Sequence, residues 1–234
     1  MALEHCRQCG TLCVGVTNVV GSSISRLTDF GTHLNAGAEV GVASTKAYTS
    51  QVVVLVLIVL LLCAHDKDLA KRREEIIAGL GSLSAKIQST LQFVMKPIKT
   101  LAHTLKDAHS FVILGRGYDY ATAIEGALKV KELSYVHTEG INSGELKHGP
   151  LALVDETLPV LAICSNDKHF SKSKAAVQQV HARRGRVTVI TNAPDDGELH
   201  ESATEIITVP QTVDCLQCVL NVIPLQLLSY FMAL

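Results

Sequence analysis

Short apolar runs alternate along this chain with longer amphipathic stretches. The short runs are rich in β-branched residues and predict buried parallel strands at Thr11–Thr17, Phe111–Leu114, Leu158–Cys164, Arg186–Thr191 and Glu205–Val209, with a weaker candidate at Phe30–Ala36. The longer stretches predict helices at Lys46–Ala64, Asp68–Met95, Tyr120–Val136, His169–Arg184 and Asp214–Leu234, with a further short helix opened by Pro97. Strands that alternate with helices predict right-handed crossovers and parallel sheets that are covered on both faces.

Two modules of this kind fit the order of the predicted elements. We predict a boundary near Met95–Leu101, which divides the chain into residues 1–95 and 96–234. The first module contains only one or two clear strands and is predicted to be incomplete. The expected fold is therefore α/β, with two doubly wound parallel sheets and flanking helices, the first sheet being the incomplete one.

Composition and charge exclude several classes of protein. Of the 234 residues, 47% are apolar and 18% are charged, and the formal net charge is −1. This balance is typical of globular proteins rather than of disordered chains. Nucleic-acid binders usually carry a strong excess of basic residues. We therefore expect no nucleic-acid partner.

The cysteines raise the question of metal binding. There are seven, an odd number in a chain of this length, which predicts free thiols in a cytoplasmic protein. Two CxxC pairs, Cys6/Cys9 and Cys215/Cys218, leave a zinc site open as an alternative. The pairs are far apart in sequence, and neither has the glycine-rich turn of a zinc knuckle. Thiols that pack as small apolar side chains are favoured, and no metal is expected.

The most apolar stretch of the chain, Ala47–Ala64, is a candidate membrane segment. Its inner part, Val52–Ala64, is unbroken by polar residues. This run is shorter than the roughly 20 residues that a transmembrane helix needs. A helix that is apolar on every side is also typical of the centre of an α/β protein. The pattern favours a buried helix and no membrane partner, with a membrane span as the alternative.

Candidate chemistry is expected where strands lead into helices, because ligands of doubly wound sheets bind beyond the carboxyl ends of the strands. Ser44 and Thr45 stand at a predicted helix start, where free backbone N–H groups favour an anion. An ordinary N-cap gives the same pattern. The segment therefore leaves an anion site and a cap as open alternatives.

Two further places carry titratable side chains. Lys129 and Glu132 lie three residues apart and therefore on one face of a predicted helix. In a cleft such a pair can move protons, whereas on a solvated surface it is a common ion pair. The glycine-rich segment Glu139–Leu151, predicted to be an irregular loop, holds His148, which can carry a proton near neutral pH. A histidine on a loop is also a common surface residue.

Four segments resemble the isomerase part of the glutamine–fructose-6-phosphate aminotransferases (isomerising). They are NAGAEVGVASTKAYTSQ (Asn35–Gln51), GRGYDYATAIEGALKVKELSY (Gly115–Tyr135), EGINSGELKHGPLALVD (Glu139–Asp155) and VDCLQCVLNVIPLQLLSY (Val213–Tyr230). The resemblance implies a pair of sugar-isomerase (SIS) domains. In that family the pair converts fructose 6-phosphate and glutamine-derived ammonia into glucosamine 6-phosphate.

The resemblance also implies roles for individual residues. Glu132 is expected to move the proton between C1 and C2 of the sugar, with Lys129 as its partner. His148 is expected to open the sugar ring, acting across the interface of a homodimer. Val42 and Ser44 are expected to line the sugar site. No metal or organic cofactor is implied.

Several parts of that family have no counterpart in these 234 residues. They are the glutaminase domain, the Ser/Thr-rich phosphate loop of the first SIS domain and the tail whose lysine forms a Schiff base with the sugar. We therefore expect little or no turnover from this polypeptide alone, because a preorganised anchor contributes strongly to rate. The alternative is a non-catalytic SIS module that binds a sugar phosphate or dimerises with a full-length enzyme.

Overall fold

Two units, Met1–Ala70 and Lys71–Leu234, make up the structure, a computed structural model that describes residues 2–193 and 196–234. The smaller unit contains α1 (Ala2–Gln8), β1 (Val14–Thr17), α2 (Ser23–Leu27), β2 (Phe30–His33) and α3 (Lys46–Leu62). Its two strands pair in parallel, with Val14 opposite Phe30. A first sheet of two strands confirms the prediction that this sheet is incomplete.

Helix α3 differs from its prediction in its surroundings. In the part of the chain that the structure describes, none of its 17 residues is buried, and Leu61 and Leu62 are 76% and 79% exposed. The prediction of a buried helix is therefore wrong for this chain. The helix is apolar on all sides, and a sheet of two strands presents too small an apolar face to cover it.

The larger unit is built around a sheet of five parallel strands in the order β4-β3-β5-β6-β7. Its elements are α4 (Ala70–Leu105), β3 (Ser110–Gly115), α5 (Tyr118–Ser134), β4 (His137–Asn142), β5 (Pro159–Cys164), α6 (Phe170–Ala182), β6 (Arg186–Thr191), α7 (Gly197–Ser202), β7 (Glu205–Thr208) and α8 (Asp214–Met232). Every residue of β5 is buried, as expected for a central strand with both faces covered. The α/β prediction is confirmed.

The strand order reverses between β3 and β5. The chain leaves β3 for β4 on one side of the sheet, whereas β6 and β7 follow β5 on the other side. At such a reversal the loops after the two neighbouring strands diverge and open a crevice at their carboxyl ends. The fold thus places the turn Gly115–Gly117 and the loop Ser165–His169 on either side of one opening.

Strand β4 and helix α4 differ from the sequence prediction. Strand β4 overlaps the start of the segment Glu139–Leu151, which was predicted to be an irregular loop. Its sequence is mostly polar, but it is an edge strand and pairs along its whole length with β3. Helix α4 continues through Pro97 instead of ending near Met95, so the predicted domain boundary falls inside a helix and stays a prediction. Burial of Val94, Ile98 and Leu101 on either side outweighs the cost of about 3 kcal/mol of an interior proline.

Helix α8 is the most apolar of the described helices of the larger unit and packs along α5. Among the described helices, it alone is long and apolar enough to cross a membrane by length and composition. In this fold 67% of that apolar stretch is buried, which is usual for a core helix.

Close packing between α5 and α8 makes a glycine substitution a sensitive test of this interface. A Cβ atom at Gly126 would lie 2.5 Å from Cδ1 of the fully buried Leu225. We expect Gly126→Ala to lower the free energy of unfolding by about 1–3 kcal/mol through overpacking. A Cβ atom at Gly81, inside α4, would meet no neighbouring atom within 4 Å. There the same substitution should stabilise the helix by up to about 1 kcal/mol. Urea unfolding of both variants measures the contrast, and equal effects would contradict it.

Candidate functional site

A cavity of about 590 Å³ lies at the crevice between the loops that follow β3 and β5. The turn after β3 and the first residues of α5 line one side, and Ser165–His169 line the other. Asn192, which follows β6, the segment before α8, the first turn of α8 and Arg72 of α4 complete the described lining. The cavity therefore occupies the place where a doubly wound sheet usually holds a ligand.

A row of buried polar side chains runs along the floor of this cavity, and all of them except Asn221 line it. The backbone N–H of Asn166 donates to Asn192 Oδ1 at 2.7 Å, and Asn192 Nδ2 donates to Gln217 Oε1 at 2.9 Å. Gln217 Nε2 donates to Asn221 Oδ1 at 3.1 Å, and Asn221 Nδ2 donates to Asp119 Oδ1 at 2.7 Å. Each amide accepts at its oxygen and donates at its nitrogen. The row thus has one direction and ends on the Asp119 carboxyl group.

Burial raises the pKa of Asp119, although hydrogen bonds from Ser165 and Asn221 oppose the shift. A raised pKa means that the folded state holds the proton more tightly than the unfolded chain. The contribution of Asp119 to the free energy of unfolding is therefore present below the ordinary aspartate pKa and is lost as the pH rises through its raised pKa.

Asp155, on the surface, shows the reverse shift. Hydrogen bonds from the Thr157 hydroxyl and from the Thr157 and Leu158 N–H groups lower its pKa.

These opposite shifts predict opposite pH dependences for two matched variants. The difference in unfolding free energy between the parent and Asp119→Asn should fall as the pH rises from about 4 through the raised pKa of Asp119. For Asp155→Asn the difference should fall as the pH drops below about 4, because the folded-state pKa is lowered. Urea unfolding between these limits measures both. If both stability differences changed with pH in the same direction, the opposite pKa shifts of Asp119 and Asp155 would be contradicted.

A second cluster of charges lies on α5. Lys129 is buried, and its Nζ donates to Glu132 Oε2 at 3.1 Å. Its Nζ is also 3.2 Å from Glu125 Oε1, one helical turn away, in an ion pair that is not aligned as a hydrogen bond. The side chains of Glu125 and Glu132 are 14% and 27% exposed. The structure therefore places a partly accessible carboxylate, Glu132, beside a buried ammonium group.

His148 ends a short 3₁₀ turn, Leu146–His148, in the loop after β4. Leu146 is buried in the core and anchors this turn, whereas Lys147 and His148 are exposed. Gly149 follows with φ +144°, a conformation that side-chain-bearing residues rarely adopt, so the turn ends there. The imidazole of His148 is therefore presented to solvent by a well-anchored loop.

Val42 and Ser44 belong to the smaller unit. Val42 is 89% exposed and Ser44 is half-buried. Of the two open alternatives at this helix start, a hydroxyl cap is not formed by Thr45, the N-cap of α3, whose side chain makes no capping bond. The carboxylate of Glu39 occupies this helix start instead, accepting the Thr45 N–H at 2.9 Å and the Ala47 N–H at 3.2 Å. Burial acts to raise the pKa of Glu39, but these donors outweigh it and the pKa is lowered.

The structure brings together some of the residues predicted from the sequence and not others. Lys129 and Glu132 are in contact, as their spacing predicts. Among the described residues, neither they nor His148 line the cavity at the crevice. Val42 and Ser44 lie in the other unit. That all five serve one site stays a prediction.

Sequence reasoning missed Glu125 and the floor of the cavity. Glu125 could have been found, because it precedes Lys129 by four residues on the same helix. Gln217 and Asn221, also four apart, are polar residues in a strongly apolar helix, which was a signal for a buried network. Their partner Asp119 lies 102 residues from Asn221, a separation that no local pattern reveals.

The cysteines show no metal-binding arrangement in residues 2–193 and 196–234. No group of three or more His, Cys, Asp or Glu side chains there could hold a metal ion. None of the seven cysteines forms a disulfide. Burial raises the pKa of Cys218 to about 12, so this thiol stays protonated and packs as an apolar side chain.

Comparison with known proteins gives a consistent picture. The SIS domain family matches residues 1–61 and 104–234. The chain is 52% identical, over 98% of its length, to glutamine–fructose-6-phosphate aminotransferase (isomerising) 1 of Arabidopsis thaliana. It is 53% identical, over its whole length, to glutamine–fructose-6-phosphate aminotransferase (isomerising) 2 of Homo sapiens. The chain spans about a third of each of these relatives, 34% in both cases.

A solved structure agrees with these relatives. The C-terminal domain of glucosamine–fructose-6-phosphate aminotransferase from Francisella tularensis superposes with a TM-score of 0.88 at 36% sequence identity. The match covers 99% of this chain and 65% of that domain. The likeness therefore extends to the arrangement of helices and strands.

Proposed function

Because the chain belongs to the SIS domain family, we propose that it is the sugar-phosphate isomerase region of a glutamine–fructose-6-phosphate aminotransferase (isomerising). One observation carries this proposal: about half of the residues are identical to relatives of that name along the entire chain. Identity of this extent favours the isomerase region over a non-catalytic module. A cytoplasmic location fits the seven free thiols.

In the proposed reaction, Glu132 moves a proton between two neighbouring carbons. Ammonia first replaces the C2 carbonyl oxygen of open-chain fructose 6-phosphate, forming an imine and releasing water. Glu132 then removes a proton from C1 and delivers one to C2, while the C1 hydroxyl proton passes to the imine nitrogen, and the product is the 2-amino aldehyde, glucosamine 6-phosphate. This second step is an isomerisation and needs no oxidant or reductant. The partial exposure of Glu132 suits contact with substrate, and Lys129 holds its carboxylate in place.

The remaining residues complete the proposed site. His148 donates the proton that opens the sugar ring, and it acts across a homodimer interface, which suits its exposure on an anchored loop. Val42 and Ser44 line the sugar-binding surface. The substrates are fructose 6-phosphate and ammonia derived from glutamine, and the reaction uses no metal or organic cofactor.

A chimera tests this proposal without requiring activity from the isolated chain. The 234 residues replace the matching third of the human relative, and the synthesis of glucosamine 6-phosphate from fructose 6-phosphate and glutamine is measured. We expect the chimera to form this product. Glutamine hydrolysis by the same chimera shows that the rest of the enzyme is intact, and a cooperative thermal unfolding transition shows that the inserted region is folded. A chimera that hydrolyses glutamine and is folded throughout but forms no amino sugar would overturn the proposal.

A further inference from the structure

The cavity at the crevice contains chemistry that the proposed reaction does not use. Among the described residues its lining excludes Lys129, Glu132 and His148. Its volume of about 590 Å³ falls within the range of roughly 300–1,000 Å³ that is usual for small-molecule sites. The cavity is therefore large enough for a ligand of its own.

The floor of the cavity is polar and preorganised. Asp119, Ser165, Asn192 and Gln217 all line it, and each is at most 9% exposed. Carboxyl, hydroxyl and amide groups that are fixed by hydrogen bonds to one another recognise the hydroxyl groups of a ligand without first having to be ordered. An apolar ligand would leave the remaining donors and acceptors of these groups unpaired.

One lining group has no partner. The hydroxyl oxygen of Thr212 is buried, yet it makes no hydrogen bond within the described part of the chain. Buried polar atoms are rarely left unsatisfied in folded proteins. This oxygen is screened from solvent, so a rotation of the Thr212 side chain would be needed before a hydroxyl-bearing ligand in the cavity could supply the missing partner.

Three helices begin at this cavity, and each already has a carboxylate at its start. Asp119 lies in the first turn of α5, and Asp214 is the first residue of α8. Asp167 accepts the backbone N–H of His169, the N-cap of α6, at 2.7 Å. These carboxylates take the positions beside the helix starts where a phosphate group would otherwise bind.

The lysine and arginine side chains of the described lining, Arg72 and Lys168, do not outweigh these carboxylates. Arg72 forms ion pairs with Asp214 and Glu75, so its charge is already neutralised. Lys168 is exposed and makes no ion pair among residues 2–193 and 196–234. With Arg72 and Asp214 paired to each other, Lys168 is the remaining lysine or arginine of the described lining, and it faces Asp119 and Asp167. A phosphorylated ligand would therefore find no excess of positive charge there.

We propose that this cavity is a second ligand site, which takes a sugar-sized, hydroxyl-rich molecule that carries no phosphate group. Tyr118, which is 54% exposed, stands at its rim and offers an aromatic face for the ligand to pack against. The site belongs to the larger unit alone. It is independent of the proposed isomerase reaction.

Amide NMR of the whole 234-residue chain tests the proposal, with D-glucose, D-fructose and D-glucosamine as probes and inorganic phosphate as the comparison. We expect at least one of the three sugars to shift the resonances of Ser165–His169 and Asn192 in a saturable manner, and phosphate not to do so. Tyr118→Ala should weaken that binding about three- to tenfold, the value of an aromatic contact. Tyr120→Ala is the matched control, because Tyr120 lies on the same helix, is 37% exposed and is outside the described lining.

The other outcomes are equally informative. Glu132→Gln should leave the sugar-induced shifts unchanged, and their loss would mean that the sugar binds at the proposed isomerase site instead. The absence of saturable shifts with all three sugars would overturn the proposal. So would binding of phosphate at the same resonances more tightly than the sugars. Unchanged dispersion of the amide resonances shows that each variant is folded.

Discussion

Replacing Lys129 by methionine is expected to lower the free energy of unfolding by about 3–5 kcal/mol, the usual cost of removing one partner from a buried ion pair. Methionine fills nearly the same volume but carries no charge. It would leave Glu125 and Glu132, only 14% and 27% exposed, facing each other without the ammonium group between them. Repulsion and incomplete hydration of the two carboxylates both favour the unfolded chain.

Urea unfolding at neutral pH measures this effect. Lys131→Met is the matched control, because Lys131 lies on the same helix but is exposed. The control should change stability by less than about 0.5 kcal/mol, as most surface substitutions do. Equal stabilities for the two variants would show that the cluster around Lys129 contributes nothing to the fold.

Glu132→Gln in the chimera should reduce the synthesis of glucosamine 6-phosphate by about 10²–10⁴-fold, the typical contribution of a positioned general base. Glutamine keeps the size and can still accept a hydrogen bond from Lys129, but it cannot take up the proton from C1. The loss should appear in kcat, with little change in KM for fructose 6-phosphate, because the missing interaction acts in the transition state.

A surface glutamate provides the control for this second experiment. Glu156 is 66% exposed and pairs only with Arg184 among the described residues, so Glu156→Gln should leave synthesis unchanged. Glutamine hydrolysis should persist in both chimeras. Full synthesis by the Glu132→Gln chimera would show that Glu132 is not the base, and another residue would then have to take the proton from C1.

The core of the larger unit was predictable because its signals are local. Strand β5 is apolar throughout, β6 is dense in β-branched residues, and α5 shows Lys129 and Glu132 at helical spacing. Strand β4 escaped prediction because an edge strand draws its stability from pairing with β3 rather than from its own apolar content. Helix α4 passes Pro97 because tertiary burial outweighs local propensity.

The candidate sites were only partly predictable. Spacing within one helix identified Lys129 and Glu132, but it could not show how accessible each would be. The cavity was hidden because its floor joins residues from α5, α8 and the loops after β5 and β6. Such a site depends on the strand order, which reverses between β3 and β5, and that reversal is a property of the folded sheet.

The one-way row of side-chain amides has a consequence for how this region can vary. Asn192, Gln217 and Asn221 each give and receive a hydrogen bond in the same sense, so turning any one of them would set donor against donor at one neighbour and acceptor against acceptor at the other. A single replacement therefore disturbs the neighbours on both sides of it. Over evolutionary time, these positions should coevolve, changing together or staying as they are.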